Sequence, residues 1–420
     1  MMNYVESIEY IHAINWCFCK PGLERIEKLC ALLGNPQNDL KFVHVAGTNG
    51  KGSTSAMLDS ILRSAGYKTG LYTSPFIRVF NERMRINGEN ISDDELASLT
   101  EYIKPIAEQM QDKPTEFELI TALAFEFFAR HNCDIVILEA GMGGRLDSTN
   151  IIDTSVLSVI TGIALDHTAF LGDTVEKIAF EKAGIIKRGV PIIYGGDDVS
   201  AKNIIENKAK ELDSPFYSID HSKLKINSLT LEGADFDFDM HKNMKISLLG
   251  SYQPKNASLV IKSVEILREQ GFVIDDAALK NGLFDASWQG RFEILSKDPL
   301  IIFDGAHNPQ GVEAAVESIG LYFKEKVCLV TGVLRDKDYT YISQRLSTVA
   351  KAAYTFTPDS PRALSADEYA SVLVDAGISA VSSDSVKNAL DSAREYAKVN
   401  SCPIICVGSL YAYAQIIENV

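Results

Sequence analysis

The chain has 420 residues, 46% of them hydrophobic and 23% charged, with a net charge of −15. That balance is ordinary for a globular protein, and the length fits about two or three domains. The acidic surplus argues against nucleic acid or an anionic membrane as the main partner, and no apolar run approaches the ~18 residues of a membrane helix.

In chain order, apolar strand candidates at 42–46, 70–73, 134–139, 156–163 and 191–194 alternate with helical stretches. In one of these, 116–129, Phe117, Ile120, Leu123, Ala124 and Phe127 recur at helical spacing. Alternation of this kind predicts a mostly parallel sheet covered by helices. From 223 to 249 the period changes to two, as in Phe236, Phe238 and Met240, which predicts a small antiparallel sheet. A helix is expected at 254–270. A second α/β series then runs through strands at 301–304, 327–332, 353–357 and 403–408, with a helix at 311–322. Lys297-Asp298-Pro299 is polar and proline-containing, like a linker. The expected domains are therefore 1–296, a nucleotide-type α/β domain carrying the small antiparallel sheet, and 297–420, a Rossmann-like α/β domain.

The first strand runs into Gly47-Thr48-Asn49-Gly50-Lys51-Gly52-Ser53-Thr54, then a helix. Glycine permits positive φ and close approach of backbone to an anion. Amide N–H groups converging there, with the helix dipole behind them, make a phosphate cradle. Lys51 is placed to reach the β/γ-phosphates, with its side chain expected in solvent at the loop's edge. A hydroxyl of Ser53 or Thr54 is placed for Mg²⁺ or a phosphate oxygen. The spacing is a shorter variant of GxxxxGK[ST], because position 45 is Val. A glycine-rich turn without ligand is the bland alternative; strand before and helix after favour a nucleoside triphosphate.

Ligands of parallel sheets gather at the carboxyl ends of strands. Ser74, in Thr73-Ser74-Pro75, Glu139, and His167, after Asp166, all fall at such ends. Together they suit a Mg²⁺ site, although imidazole is an unusual ligand for that ion; singly, Glu139 reads equally as a paired acid and His167 as a loop histidine. Lys182, beside Glu181, reads from chemistry alone as a solvated lysine, and Arg291 as an exposed arginine or one that stabilises a transferring phosphoryl group. Asp304, His307 and Asn308 crowd together after a buried strand and suggest a polar site. Asn308-Pro309 also fits a helix-starting turn. The seven cysteines include no C-x-x-C pair and read as thiols in a reducing cytosol. With an acidic N-terminus lacking an apolar core, the expectation is a soluble cytoplasmic protein.

These motifs resemble the folylpolyglutamate synthase/dihydrofolate synthase family, within the Mur-ligase group of ATP-dependent amide ligases. The resemblance runs from Lys20-Pro21-Gly22-Leu23-Glu24-Arg25-Ile26 through 47–53, Thr73-Ser74-Pro75, Asp166-His167, Glu181-Lys182-Ala183-Gly184 and 303–309 to Gly408-Ser409-Leu410-Tyr411. It implies a phosphate-loop ATPase domain and a Rossmann-like domain, with chemistry in the cleft between them. It implies Ser74, Glu139 and His167 as Mg²⁺ ligands and Lys182 as a lysine that becomes carbamylated. Asn256, Arg291 and Asp304 are implied as ATP-binding residues and His307 as a residue near the catalytic cleft. Phe76 stands where the family usually has His, a departure at a substrate contact but not at Ser74. The implied substrates are ATP, L-glutamate and a folate or dihydropteroate, and the implied state is a monomer. About forty residues before the phosphate loop, fewer than the ~50 of a small domain, favour the folate branch over the peptidoglycan ligases. A phosphate-loop kinase or regulatory NTPase is the alternative; it leaves 304–308 unused.

Overall fold

The structure, a computed structural model, describes residues 2–14 and 22–420. Lys20 and Pro21 of the first motif, and Cys17 and Cys19, lie outside the described residues. Two compact units emerge: one runs through Lys223 and takes in Lys255–Ala286, and the other comprises Leu224–Pro254 and Ser287–Val420.

The first unit is built on an eight-stranded sheet. Its strands are β1 (Phe42–Ala46), β2 (Thr69–Tyr72), β3 (Met84–Ile86), β4 (Glu89–Asn90), β5 (Ile135–Glu139), β6 (Ser155–Ile160), β7 (Ile192–Tyr194) and β8 (Phe216–Ser218). The spatial order is β4-β3-β2-β5-β1-β6-β7-β8. β1 pairs in parallel with both β5 and β6, while only the β2–β3 and β3–β4 pairings are antiparallel. After β1 the chain moves to β2 on one side, and later elements fill the other side from β6 outward. β1 is thus a topological switch point, and the crevice beyond its carboxyl end is where this architecture takes ligands. All five residues of β1 are buried, as expected of a central parallel strand. Phe42 packs edge-on against Phe125 at 5.7 Å, and burying one such ring is worth about 1.5–3 kcal/mol.

The second unit holds a three-stranded antiparallel sheet of β9 (Leu224–Thr230), β10 (Gly233–Phe238) and β11 (His241–Ile246), with β10 in the middle. Phe236, Phe238, Met244 and Ile246 are buried, whereas Ile226 is about half exposed. Its second sheet contains β12 (Glu293–Lys297), β13 (Leu300–Asp304), β14 (Val327–Thr331), β15 (Ala350–Thr355), β16 (Ser379–Ser382) and β17 (Ile404–Val407). The order is β12-β13-β17-β14-β15-β16, parallel except for β12–β13. Phe292, Ile302, Leu329, Ile405 and Tyr369 lie in the core of this unit.

Two details differ from the sequence reading. The antiparallel sheet packs with the second unit, with Leu231 against its core, so packing divides the chain otherwise than by one cut at 297. Lys297-Asp298-Pro299 is the tight turn of a hairpin, with Lys297 opposite Leu300, rather than a linker. Among the described residues Cys30, Cys133, Cys328, Cys402 and Cys406 are free thiols, and no helix is long and apolar enough to cross a membrane.

Candidate active site

The phosphate loop leaves β1 at Gly47, with φ of 147°, and enters the helix Lys51–Ser64 at Gly50, with φ of 84°. Both values lie where side chains other than glycine are strained. The loop is fastened to the segment after β6. Thr161 Oγ1 donates to the Asn49 carbonyl at 2.7 Å, and the Thr48 amide donates to the Gly162 carbonyl at 2.7 Å. Thr48 Oγ1 donates to the Ala164 carbonyl at 3.2 Å and accepts from the Ala164 amide at 3.1 Å. A Cβ on Gly47 would stand 1.9 Å from Thr161 Oγ1, and one on Gly50 would stand 2.8 Å from Asn256 Oδ1. Asn256, in the helix Gln253–Glu269, therefore lies against the loop. Ser53 and Thr54 are buried in the helix's first turn, and Thr54 Oγ1 has no hydrogen-bond partner.

Lys51 is not solvated as expected. Its side chain is 17% exposed and folds back, donating to the carbonyls of Gly47 at 3.2 Å and Thr48 at 3.3 Å, with Glu139 Oε1 at 3.9 Å. Lys182 also departs from the solvated reading that chemistry alone gave it. It is 4% exposed and donates to the Gly47 carbonyl at 2.8 Å, while Glu181 beside it pairs outward with Arg145. Burial, then repulsion from Lys51, lowers its pKa to about 7, against the pull of Asp166 and Asp147. The helix Val175–Ala183 buries Ile178, Ala179, Lys182 and Ala183 on one stripe, so its apolar face drives the lysine inward.

Ser74 follows β2, Glu139 ends β5 and His167 follows β6, so all three stand on the carboxyl edge of the sheet. Glu139 is 4% exposed; the His167 side chain is 50% exposed. No group of three or more His, Cys, Asp or Glu able to hold a metal occurs among the described residues. Of the three strand-end residues, the Ser74 hydroxyl and the Glu139 carboxylate offer the oxygen donors Mg²⁺ prefers, and the His167 imidazole is the unusual member. The buried, unpartnered Thr54 hydroxyl fits that chemistry.

Thr161 and Asp147, not among the residues expected from the sequence, also shape this site. Asp147 is buried; it accepts from the Met142 amide at 2.8 Å and from the Thr149 amide at 3.0 Å and hydroxyl at 2.5 Å. It thereby fixes the glycine loop after Glu139. The signal for Thr161 was its place directly after an apolar run.

In the second unit, Asp304 ends β13 and is 3% exposed. It accepts from the Ala306 amide at 2.8 Å, the Phe292 amide at 3.0 Å and the Tyr252 hydroxyl at 3.0 Å. Burial pushes its carboxyl pKa up, with Arg291 pulling the other way. Arg291 donates to the Gly290 carbonyl at 3.0 Å, and His307 Nδ1 lies 2.8 Å from the Gly305 carbonyl. Asn308 caps the helix Pro309–Tyr322 through the Gly311 amide, the structural role that its place before proline allowed.

Residues 45–264 match the Mur ligase middle domain and 290–410 match the Mur ligase glutamate ligase domain. The chain is 41% identical over 372 residues, 86% of each chain, to the dihydrofolate synthase/folylpolyglutamate synthase of Bacillus subtilis (strain 168). The chain belongs to the folylpolyglutamate synthase/dihydrofolate synthase family of Mur ligases. Members of this family are ATP-dependent ligases, which sets aside the kinase or regulatory NTPase alternative. The fold agrees. A Mycobacterium tuberculosis folylpolyglutamate synthase with ADP and AMPPCP superposes with a TM-score of 0.89 at 28% identity, covering 98% of each chain. An FPGS–AMPPCP–folate complex gives a TM-score of 0.86 at 32% identity, covering 100% of this chain and 99% of the other.

Proposed function

We propose that this ligase adds L-glutamate through an amide bond to a reduced folate, and to dihydropteroate as well. The observation that carries the reading is the fastened phosphate loop 47–53 in a chain that matches both Mur ligase domains. The relative in Bacillus subtilis carries both activities in its name, which supports the wider substrate range.

A carboxylate resists attack by an amine, because oxide is a poor leaving group. Transfer of the ATP γ-phosphoryl group to it gives an acyl phosphate and ADP. The glutamate amine then attacks the acyl carbon, the C–O bond to phosphate breaks, and inorganic phosphate leaves. The loop amides and Lys51 hold the phosphates and meet the charge that develops on the transferring group. Asn256 supports the nucleotide beside Gly50. In the second unit Arg291 and Asp304 are proposed for nucleotide contact, and His307 for the catalytic step.

Ser74, Glu139 and His167 are proposed to hold Mg²⁺, which when bound would neutralise phosphate charge. Lys182 is proposed to act as its carbamate. The neutral amine attacks CO₂, a C–N bond forms, and one proton is released to solvent. Burial, which lowers its pKa to about 7, brings the neutral amine within reach near neutral pH, and the remaining N–H can still donate to Gly47. We propose further a cytoplasmic monomer, for which light scattering gives the mass.

The test supplies purified protein with ATP, Mg²⁺, L-glutamate and either dihydropteroate or tetrahydrofolate, and follows ADP and new amide by mass spectrometry. Product from both acceptors supports the proposal. Product from tetrahydrofolate alone narrows it to polyglutamylation.

A further inference from the structure

Between Ser74 and the short helix Phe80–Arg83 the backbone makes neither helix nor strand. The amides of Ile77, Arg78 and Val79 nevertheless share one acceptor. Glu82, 6% exposed, accepts through Oε2 from the Ile77 amide at 2.8 Å, and through Oε1 from the amides of Arg78 and Val79, each at 3.2 Å. The base of the loop is closed beside it. The Thr73 amide donates to the Arg83 carbonyl at 3.1 Å, and Thr73 Oγ1 donates to the Glu82 carbonyl at 3.4 Å. Asn81 anchors the far side by donating to the Ile91 carbonyl at 2.7 Å and to Asp93 at 2.9 Å. The Arg83 guanidinium lies over the rings of Phe76 at 5.2 Å and Phe80 at 5.5 Å.

We propose that Glu82 is a positioning residue for Ser74. One ionised carboxylate that gathers three amides replaces the ladder this segment lacks, and such charge-assisted bonds are the strong ones. Thr73 and Ser74 leave β2 directly into this closure, so the carboxylate sets where the Ser74 hydroxyl stands. The inference rests on the reading of Ser74 as an oxygen ligand to Mg²⁺. An amide in place of the carboxylate would turn an NH₂ donor toward donors and leave at least one N–H unpaired.

Amide hydrogen exchange on the wild type comes first, since it needs no variant. Amides 77–79 are expected to be protected although they lie outside any helix or strand. In Glu82→Gln their exchange should quicken by about tenfold while that of the helix Lys51–Ser64 stays unchanged. The Mg²⁺ concentration for half-maximal turnover should rise by about tenfold, as in Ser74→Ala. The double variant should fall within about twofold of Ser74→Ala alone, because both changes act through one hydroxyl. Unprotected 77–79 amides in the wild type, or an unaltered Mg²⁺ requirement in Glu82→Gln alone, would overturn the proposal. Quickened exchange with an unaltered requirement in both single variants would instead overturn the Ser74 reading beneath it.

Discussion

The Lys182 ammonium nitrogen stands 2.8 Å from the carbonyl oxygen of Gly47, the first residue of the phosphate loop. A lysine that is 4% exposed, close to a second lysine and in contact with a phosphate cradle is costly as a cation. It is suited to reaction as an amine. In bicarbonate buffer, native mass spectrometry should show one added CO₂, absent from Lys182→Ala. That variant should lose about a hundredfold or more in kcat, and a short carboxylic acid should restore part of it. Full activity of the wild type in CO₂-depleted buffer would return Lys182 to an ordinary buried amine.

Lys51→Ala should remove turnover, by about a hundredfold to a thousandfold, because a point charge beside the transferring phosphate is lost. Its carbonyl contacts at 3.2 and 3.3 Å are local to the loop. Thermal unfolding should therefore move by no more than about 1 kcal/mol. Near-wild-type ADP formation by a folded variant would contradict the phosphate assignment.

Gly47→Ala tests the cradle's shape. Its Cβ would meet Thr161 Oγ1 at 1.9 Å, at a φ of 147° that disfavours alanine. Relief requires the loop to shift off the bond between Thr161 and Asn49. Binding of a non-hydrolysable ATP analogue, read by calorimetry, should weaken by about tenfold or more. Unchanged affinity would show that the loop conformation is not what binds phosphate.

Much of this site could be read from the sequence, and what could not has physical reasons. The glycines at 47 and 50 announced themselves because only that residue fits the turn. Lys182 did not, because its neighbour Glu181 mimics a surface pair. The stripe of Ile178, Ala179 and Ala183 on the same helical face was the available clue. The strand expected at 156–163 stops at Ile160, because Thr161 and Gly162 bond to the phosphate loop instead of extending the strand. Lys297-Asp298-Pro299 has the composition of a linker and of a tight turn alike, and only pairing of its flanks separates the two. Alternation at 223–249 marked the strands, but not which unit they pack on, since that depends on residues far along the chain.

His44 gives a pH signature apart from catalysis. It is fully buried on β1, its Nε2 lies 2.9 Å from Thr149 Oγ1, and its Nδ1 has no partner. Burial, with Lys187 nearby, lowers its pKa from 6.5 to about 3. The unfolded chain then takes up the proton first. The contribution is whole above pH 6.5 and is lost as pH falls toward about 3, by about 1.4 kcal/mol per pH unit. Denaturant unfolding at pH 7, 6 and 5 should show a shallower acid decline for His44→Gln than for wild type. Equal slopes would contradict a neutral buried imidazole.

An enzyme of this family spends ATP to join a carboxylate to an amine. Counting ADP against amide in one reaction, with each substrate omitted in turn, checks that coupling in this chain. One ADP should appear per new glutamyl bond, and ADP release should fall to background when either the folate-type acceptor or L-glutamate is left out. ADP release indifferent to both, with no glutamylated product in the mass spectrum, would contradict it.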